Sequence, residues 1–331
     1  MNMPVDAVVA VTYRCDSRCN MCNIWQLPPG KEMTPEEYER LPETLDDVNI
    51  TGGEPFLRED IVDVTGTVYE RCHAPRIVIS TNGFQHRRIL HAAPSLMKIG
   101  RRVGIAVSLD GIGEMHDSIR GVEGGFDKVI ETLTQLKKLG YGNVRVAFTA
   151  QRQNVEHLGA VYDLSRQFGF QFTTSVAQNS EFYFSTSENQ RVEPDRLGEE
   201  LEYVMRKELI SLSPKRWLRS YFYSGVNSYN LAGRRVLDCR AGTDSFFLDP
   251  GGEVYPCLTL ERRMGNLLET GFEALWKSEE AETARRAVKA CTMPCWMICT
   301  ARSSMKRRPL KPASWILGNW LRMLAGRPVS T

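Results

Sequence analysis

Short apolar runs alternate with longer amphipathic segments from the N-terminus to about Tyr223. This alternation constrains the fold most, because strands that alternate with helices build a parallel sheet covered by helices. The predicted strands are Ala7–Thr12, Asp47–Thr51, Arg76–Ser80, Val103–Ser108, Asn143–Thr149 and Phe170–Ser175. The predicted helices are Thr34–Leu41, Asp60–Arg71, Arg87–Ile99, Phe126–Leu139, Val155–Phe168 and Pro194–Ile210. The pattern therefore predicts an α/β fold.

Polar and glycine-rich residues follow the ends of these strands. They are Arg14-Cys15, Gly52-Gly53-Glu54-Pro55, Thr81-Asn82-Gly83, Asp110-Gly111 and Gln151. Ligands of parallel α/β proteins bind at the carboxyl ends of the strands, where loops vary on a rigid scaffold. We expect these residues to line one mouth.

Three cysteines, Cys15, Cys19 and Cys22, lie within eight residues directly after the first predicted strand. A tight loop can bring three thiolates to one iron–sulfur cluster, whereas a structural zinc ion or an electron-carrying cluster normally has four protein ligands. The unligated iron of a three-cysteine cluster is free to bind a small molecule. A chance grouping, or a zinc site shared with distant residues, is the alternative.

The Cys-x3-Cys-x2-Cys motif at Cys15, followed by Gly52-Gly53-Glu54-Pro55 after the second strand, resembles the radical S-adenosylmethionine (SAM) superfamily over about Val5 to Val176. The resemblance implies a partial (β/α)6 barrel of the TIM type. It also implies reductive cleavage of SAM to a 5′-deoxyadenosyl radical, which abstracts hydrogen from the substrate. A flavodoxin- or ferredoxin-type electron donor is implied as a partner.

Carried over by position, the resemblance makes Cys15, Cys19 and Cys22 the ligands of a 4Fe–4S cluster. It gives SAM contacts to Gly52, Gly53, Glu54, Pro55, Ser80, Asn82, Ser108 and Asp110. Ordinary turn chemistry is the alternative for Ser80, Asn82 and Ser108. Met21 departs from the family, which usually has an aromatic residue before the third cysteine.

A second group of cysteines follows at Cys239, Cys257, Cys291, Cys295 and Cys299. It resembles the SPASM and twitch domains, which hold auxiliary iron–sulfur clusters. The full SPASM pattern uses seven cysteines, so five favour the twitch type with one auxiliary cluster. Cys239, Cys257 and Cys299 fit best, and Cys295 is the preferred fourth ligand. A zinc ribbon is the alternative.

The composition, 42% hydrophobic and 25% charged residues, is that of an ordinary globular protein. No apolar run reaches the roughly 18 residues of a spanning helix, and the N-terminus lacks a secretion signal. We therefore expect a cytoplasmic protein, in which close thiols favour metal sites over disulfides. The net charge of +2 comes from the segment after Cys299, so we expect no nucleic-acid partner.

We predict three regions, namely a radical SAM core (1–223), a SPASM/twitch-like domain (224–304) and a basic amphipathic tail (305–331). The tail combines Lys306-Arg307-Arg308 with apolar residues at helical spacing and two tryptophans, Trp315 and Trp320. Such a helix either contacts an anionic membrane surface or packs on the second domain. Packing is slightly favoured.

The sequence thus predicts a radical SAM enzyme whose substrate, small-molecule or lipid-linked, and net reaction it does not define. With fourteen residues before Cys15, we expect neither a cobalamin domain nor a peptide-recognition domain there. Two alternatives are a non-catalytic iron–sulfur or zinc protein and a membrane-attached binding module.

Overall fold

The computed structural model describes residues 2–233, 235–293 and 295–330. The strands are β1 (Asp6–Ala10), β2 (Asp47–Thr51), β3 (Arg76–Thr81), β4 (Val103–Ser108), β5 (Val144–Ala150), β6 (Gln171–Val176), β7 (Ser245–Leu248), β8 (Glu253–Tyr255) and β9 (Gly265–Asn266). The α-helices are α1 (Ile61–Arg71), α2 (His86–Ile99), α3 (Glu114–Arg120), α4 (Gly125–Lys138), α5 (Leu158–Gln167), α6 (Pro194–Leu209), α7 (Pro214–Ala232), α8 (Phe272–Trp276), α9 (Glu279–Lys289), α10 (Ile298–Arg307) and α11 (Leu310–Leu324). Short 3-10 helices span Ile24–Gln26, Pro35–Arg40, Pro55–Leu57 and Val155–His157.

One sheet runs through the described residues in the order β6-β5-β4-β3-β2-β1-β7-β8-β9. Strands β1 to β6 are parallel, each paired with its neighbour in the chain. Five of the six residues of β4 are buried, as expected for a parallel sheet. The predicted α/β fold is confirmed, and the core is a six-stranded barrel that does not close.

Helices cover the outer face of the barrel because their apolar residues recur at helical spacing. In α4, Val129, Leu133 and Leu136 are fully buried, while the acidic and basic residues of the helix face outward. Helices α1, α2 and α4 pack in sequence along this face. The carboxyl ends of the strands are thereby held at one rim of the barrel, where the site lies.

The predicted helix Thr34–Leu41 is wrong in type, since a 3-10 helix spans Pro35–Arg40. Its start was predicted correctly, because Thr34 and Glu37 form the reciprocal hydrogen bonds of a capping box. Only Tyr38 of this segment is buried, so a longer α-helix would gain little packing. The six residues are followed by Leu41 and Pro42, and such a segment is too short for a stable α-helix.

The second region continues the sheet of the core. Strand β7 pairs with β1 in parallel, and the antiparallel strands β8 and β9 extend the sheet beyond it. The predicted domain boundary between residues 223 and 224 falls inside helix α7. Strand β1 therefore has the core on one side and the cysteine-rich region on the other.

The C-terminal tail packs on the core through its tryptophans. The Trp320 ring meets Trp217 of α7 edge to face at 4.6 Å, and its Nε1 donates to the Leu209 carbonyl oxygen at 3.1 Å. Trp315 meets Tyr221 of the same helix at 5.7 Å. Among the described residues, no helix is both long and apolar enough to cross a membrane.

Candidate functional site

A cavity of about 270 Å³ opens at the carboxyl ends of the parallel strands. Strands β2 to β6 each place a polar residue on its wall, and these are Thr51, Ser80, Ser108, Thr149 and Ser175. Cys15, Cys19 and Cys22 lie on the same wall, together with Gly52, Gly53 and Asn82. The structure thus brings eight of the sequence-predicted site residues to one mouth.

The cysteine loop is fixed to the end of α3 by its backbone. The Arg18 amide donates to the Arg120 carbonyl oxygen, and the Asn20 amide donates to that of Ile119, both at 3.0 Å. Gly121 follows in the left-handed region (φ +63°), where a Cβ would lie 2.4 Å from the Arg18 carbonyl oxygen. Glycine is required there because the cysteine loop passes so close to the helix end.

The paired glycines after β2 allow a second close approach. A Cβ on Gly52 would lie 2.2 Å from the Thr12 carbonyl oxygen, and one on Gly53 would lie 2.2 Å from that of Arg14. The backbone of this loop therefore presses against the segment that leads into the cysteines. The Gly53 amide donates to the Thr12 carbonyl oxygen at 2.8 Å, which fixes the contact.

Glu54 and Pro55 do not line the cavity. Glu54 is fully buried and accepts hydrogen bonds from the Phe56 amide (3.0 Å), the Thr81 hydroxyl (2.8 Å) and the Asn82 amide (2.7 Å). Burial raises the pKa of this carboxyl to about 7. Its role in the structure is to join the loop after β2 to the end of β3.

Asn82 connects that strand end to the cysteine loop. Its side-chain amide donates to Asp16 Oδ1 at 2.6 Å and to Ser17 Oγ at 3.0 Å. Its Oδ1 accepts from the Phe84 amide at 2.9 Å. The carboxamide is therefore both on the cavity wall and committed to holding the loop.

Asp110 also lies behind the wall, because its carboxylate is fully buried and pairs with the Arg120 guanidinium. The Thr149 amide donates to it at 2.6 Å. Arg120 lines the cavity, and its Nη1 donates to Cys19 Sγ at 3.7 Å. Asp110 thereby orients the Arg120 guanidinium toward Cys19.

Several lining residues were missed by sequence reasoning. Tyr183 lies on the wall and donates through its hydroxyl to the Gly52 carbonyl oxygen at 3.4 Å. Phe184, Trp25 and Met297 also line the cavity. Tyr183 and Phe184 come from the segment after β6, and Met297 lies between Cys295 and Cys299 in sequence. No local motif marks them, apart from the position of Met297 between two cysteines.

The donor set of the mouth fits an iron–sulfur cluster. Burial raises the pKa of Cys15 to about 12 and that of Cys22 to about 11, so both thiols are neutral without a cation. Iron ligation requires the thiolates, which a cluster would stabilise while the thiol protons are released. No three metal-binding side chains of the described residues converge closely enough to hold one metal ion.

Four of the five later cysteines form a second group. Burial raises the pKa of Cys257, Cys295 and Cys299, and nearby cysteines raise it further: Cys239 acts on Cys257 and Cys295, and Cys257 acts on Cys295 and Cys299. Burial raises the pKa of Cys295 to about 11 and that of Cys299 to about 12. Cys291, the fifth cysteine predicted from the sequence, is exposed. The four grouped cysteines are those that the sequence favoured as auxiliary ligands, and their ligation stays a prediction.

Comparison with known proteins supports both halves of the site. The radical SAM superfamily profile matches residues 9–164, and the SPASM profile, an iron–sulfur cluster-binding domain, matches residues 239–300. The mycofactocin maturase MftC of Mycolicibacterium smegmatis is 26% identical over 83% of this chain and 72% of its own length. The antilisterial bacteriocin subtilosin biosynthesis protein AlbA of Bacillus subtilis is 24% identical over 83% of this chain, which spans 60% of AlbA.

A solved structure has a similar fold. Native anSMEcpe with bound AdoMet and the Kp18Cys peptide superposes with a TM-score of 0.62 at 16% identity, over 86% of this chain and 84% of the other. The matched residues include Cys15, Cys19 and Cys22 in one profile and the four grouped cysteines in the other. A non-catalytic scaffold is not favoured, because the relatives are maturation and biosynthesis proteins. The chain therefore belongs to the radical SAM superfamily, as an enzyme with a SPASM-type domain that cleaves SAM reductively at a 4Fe–4S cluster and abstracts hydrogen from its substrate.

Proposed function

We propose that Cys15, Cys19 and Cys22 hold the SAM-cleaving cluster and that Cys239, Cys257, Cys295 and Cys299 hold one auxiliary cluster. The observation that carries this proposal is Met297, which lines the mouth cavity between two of the auxiliary cysteines. The cysteine-rich region thus reaches the cavity in which substrate would react. An auxiliary cluster next to that cavity is well placed to accept an electron from substrate, which would make the net reaction an oxidation.

The chain's own residues would orient and enclose SAM, while the cluster supplies the electron that cleaves it. We assign the backbone of Gly52 and Gly53 to the amino group of SAM, and Ser80 and Ser108 to its polar atoms. Arg120 would hold the Cys19 thiolate by a charge-assisted hydrogen bond. Tyr183 and Trp25 would exclude water from the cavity.

Metal content tests the two ligand sets separately. We expect about eight irons per reconstituted chain, as two four-iron clusters require. Cys19→Ala and Cys299→Ala should each lower that value to about four, because each removes one ligand of a different cluster. Cys72→Ala and Cys291→Ala are the matched controls, since Cys72 is a lone buried thiol and Cys291 is exposed. Loss of iron in Cys291→Ala, or full iron in Cys299→Ala, would contradict the auxiliary ligand set.

The proposal also concerns the class of substrate. The sequence suggested a small-molecule or lipid-linked substrate, while the names of MftC and AlbA point to maturation of a cellular product. The peptide bound to anSMEcpe supports a peptide as the first class to test. A substrate should raise the rate of 5′-deoxyadenosine formation when added to the reduced enzyme. A flavodoxin- or ferredoxin-type protein would supply the electron in the cell.

We propose peripheral membrane contact as a second, separable property of the tail. Leu310, Leu317, Leu321 and Leu324 form one exposed stripe on α11, with exposed fractions from 57% to 85%. Lys306, Arg307 and Arg308 are engaged in ion pairs with Asp47, Asp244 and Asp238. The apolar stripe, more than the basic cluster, would therefore drive binding.

Sedimentation with anionic liposomes tests this contact. Ending the chain after Ser304 would also remove the packing of Trp315 and Trp320, so a double substitution of Leu317 and Leu321 by Gln is the cleaner variant. We expect it to lower the bound fraction severalfold, since two apolar side chains no longer enter the interface. Equal partitioning of the wild type and this variant would refute the membrane role and leave the packing explanation.

A further inference from the structure

A second cavity, of about 320 Å³, lies at the amino ends of the strands. Arg76 begins β3, Arg145 is the second residue of β5, and Phe172 is the second residue of β6. Helices α7 and α10 supply most of the other walls, and Pro309 and Pro312 at the start of α11 complete them. The cysteines lie at the carboxyl ends of the same strands, so this cavity is at the opposite end of the barrel. None of the roles assigned above uses it.

The wall of this cavity is strongly cationic. Its charged lining residues are Arg76, Arg145, Lys215, Arg219, Arg302 and Lys306, and no carboxylate of the described chain lines it. Three carboxylates reach these cations from behind the wall, namely Asp6, Asp47 and Glu208. Glu208 is shared with Arg216, which lies 2.9 Å away. Six cations against three carboxylates leave an excess of positive charge at the cavity.

Arg145 contributes one unpaired charge to this excess. Its Nε and Nη2 atoms are buried, and neither has a hydrogen-bond partner among residues 2–233, 235–293 and 295–330. Burial, then the neighbouring Arg219, Arg302 and Arg76, lowers its pKa. An unpaired buried cation is costly, and proteins rarely keep one without a counter-ion.

Lys215 stands near it at the rim, with no carboxylate partner in the described part of the chain. Partial burial and the surrounding arginines lower the pKa of Lys215 to about 8. The two unpaired cations therefore repel each other and face the same space. A bound anion would satisfy both at once.

Apart from Thr173, the remainder of the wall is apolar, which restricts the kind of anion that would fit. Phe172 and Phe222 are buried, whereas Leu218 and Ile298 are 45% and 40% exposed at the opening. Leu310, beside the lining residue Pro309, is 81% exposed. An inorganic ion would leave these apolar surfaces in water, but a ligand with an apolar body would cover them.

We propose that this cavity binds an organic phosphate, with its phosphate group on Arg145 and Lys215 and its apolar part against Leu218 and Ile298. Planar guanidinium groups suit the paired oxygens of a phosphate. The ligand could come from a lipid headgroup or from a free organic phosphate, because both present the same chemistry. The proposal does not depend on SAM cleavage, so its test requires no turnover.

Calorimetric titration of the reconstituted full chain tests the site with three probes, namely inorganic phosphate, hexyl phosphate and dihexanoyl phosphatidic acid. We expect hexyl phosphate to bind at least about tenfold more tightly than inorganic phosphate, because each buried CH₂ adds apolar contact. A further gain for the phosphatidic acid identifies a lipid source, and equal affinity identifies a free organic phosphate. Equal affinity of inorganic and hexyl phosphate would overturn the role of the apolar wall.

Substitutions locate the binding. Arg145→Gln should weaken hexyl phosphate at least about tenfold, the loss of one charge-assisted hydrogen bond. Lys311→Gln, which removes an exposed cation outside the cavity, should leave the affinity unchanged. Should Arg145→Gln fail to fold, Lys215→Gln at the rim serves the same purpose. Absent binding by the wild type, or unchanged affinity in the cavity variants, would overturn the proposal.

Discussion

His116 is buried between two aromatic rings, with Phe84 at 5.9 Å and Phe126 at 6.5 Å. Its Nδ1 accepts a hydrogen bond from the Asp110 amide at 3.0 Å. His116 therefore holds Asp110 in place, and Asp110 in turn orients the Arg120 guanidinium. Burial, then the Arg120 charge, lowers its pKa from 6.5 to about 3. A neutral ring in this position is a structural part of the mouth.

The lowered pKa of His116 predicts acid lability. The unfolded chain takes up this proton below about pH 6.5, whereas the folded chain does so only near pH 3, so stability present above pH 6.5 is lost as the pH falls. His116→Asn keeps an acceptor for the Asp110 amide but cannot titrate. Between pH 6.5 and 5.5 it should lose less unfolding free energy than the wild type, by about 1 kcal/mol.

Urea unfolding at the two pH values measures this difference. His91→Asn is the matched control, because His91 is exposed on α2 and should behave like the wild type. Equal pH dependence in His116→Asn and the wild type would show that His116 does not carry the acid sensitivity.

At the scale of elements, the sequence predicted the strands and helices that are marked by the residue pattern of their own segment. Strand β2 was predicted with its observed ends, because buried residues such as Val48 and Ile50 alternate with polar ones inside the segment. The 3-10 segment Pro35–Arg40 was predicted as an α-helix because its start signal is common to both helix types. The pairing of β7 with β1 could not be predicted, since it joins residues more than two hundred positions apart.

The tail helix gives a prediction at this scale. Trp320→Ala removes an edge-to-face contact with Trp217 and a hydrogen bond to Leu209. We expect the unfolding free energy to fall by about 1–3 kcal/mol, as in other losses of buried contacts. Leu324→Ala, on the exposed stripe, should change it by less than about 0.5 kcal/mol. Similar stabilities of the two variants would mean that the tail is not part of the folded core.

At the scale of the whole molecule, the mouth cavity and the cationic cavity lie at opposite ends of the barrel. The mouth could be predicted because Cys15, Cys19 and Cys22 are adjacent in sequence and the glycine pair follows a strand. Tyr183 and Met297 could not, since Tyr183 comes from the segment after β6 and Met297 from the cysteine-rich region, both distant in sequence from the cysteine loop. The cationic cavity could not be predicted either, because Arg145 and Lys215 come from segments that are distant in sequence.

The central claim is that Cys15, Cys19 and Cys22 hold the cluster that cleaves SAM. The most direct measurement is formation of 5′-deoxyadenosine by anaerobically reconstituted protein with dithionite and SAM. The wild type and Cys72→Ala should form it, whereas Cys19→Ala should form none, since two thiolates cannot hold the cluster. Undiminished 5′-deoxyadenosine from Cys19→Ala, or none from the reconstituted wild type, would contradict the account.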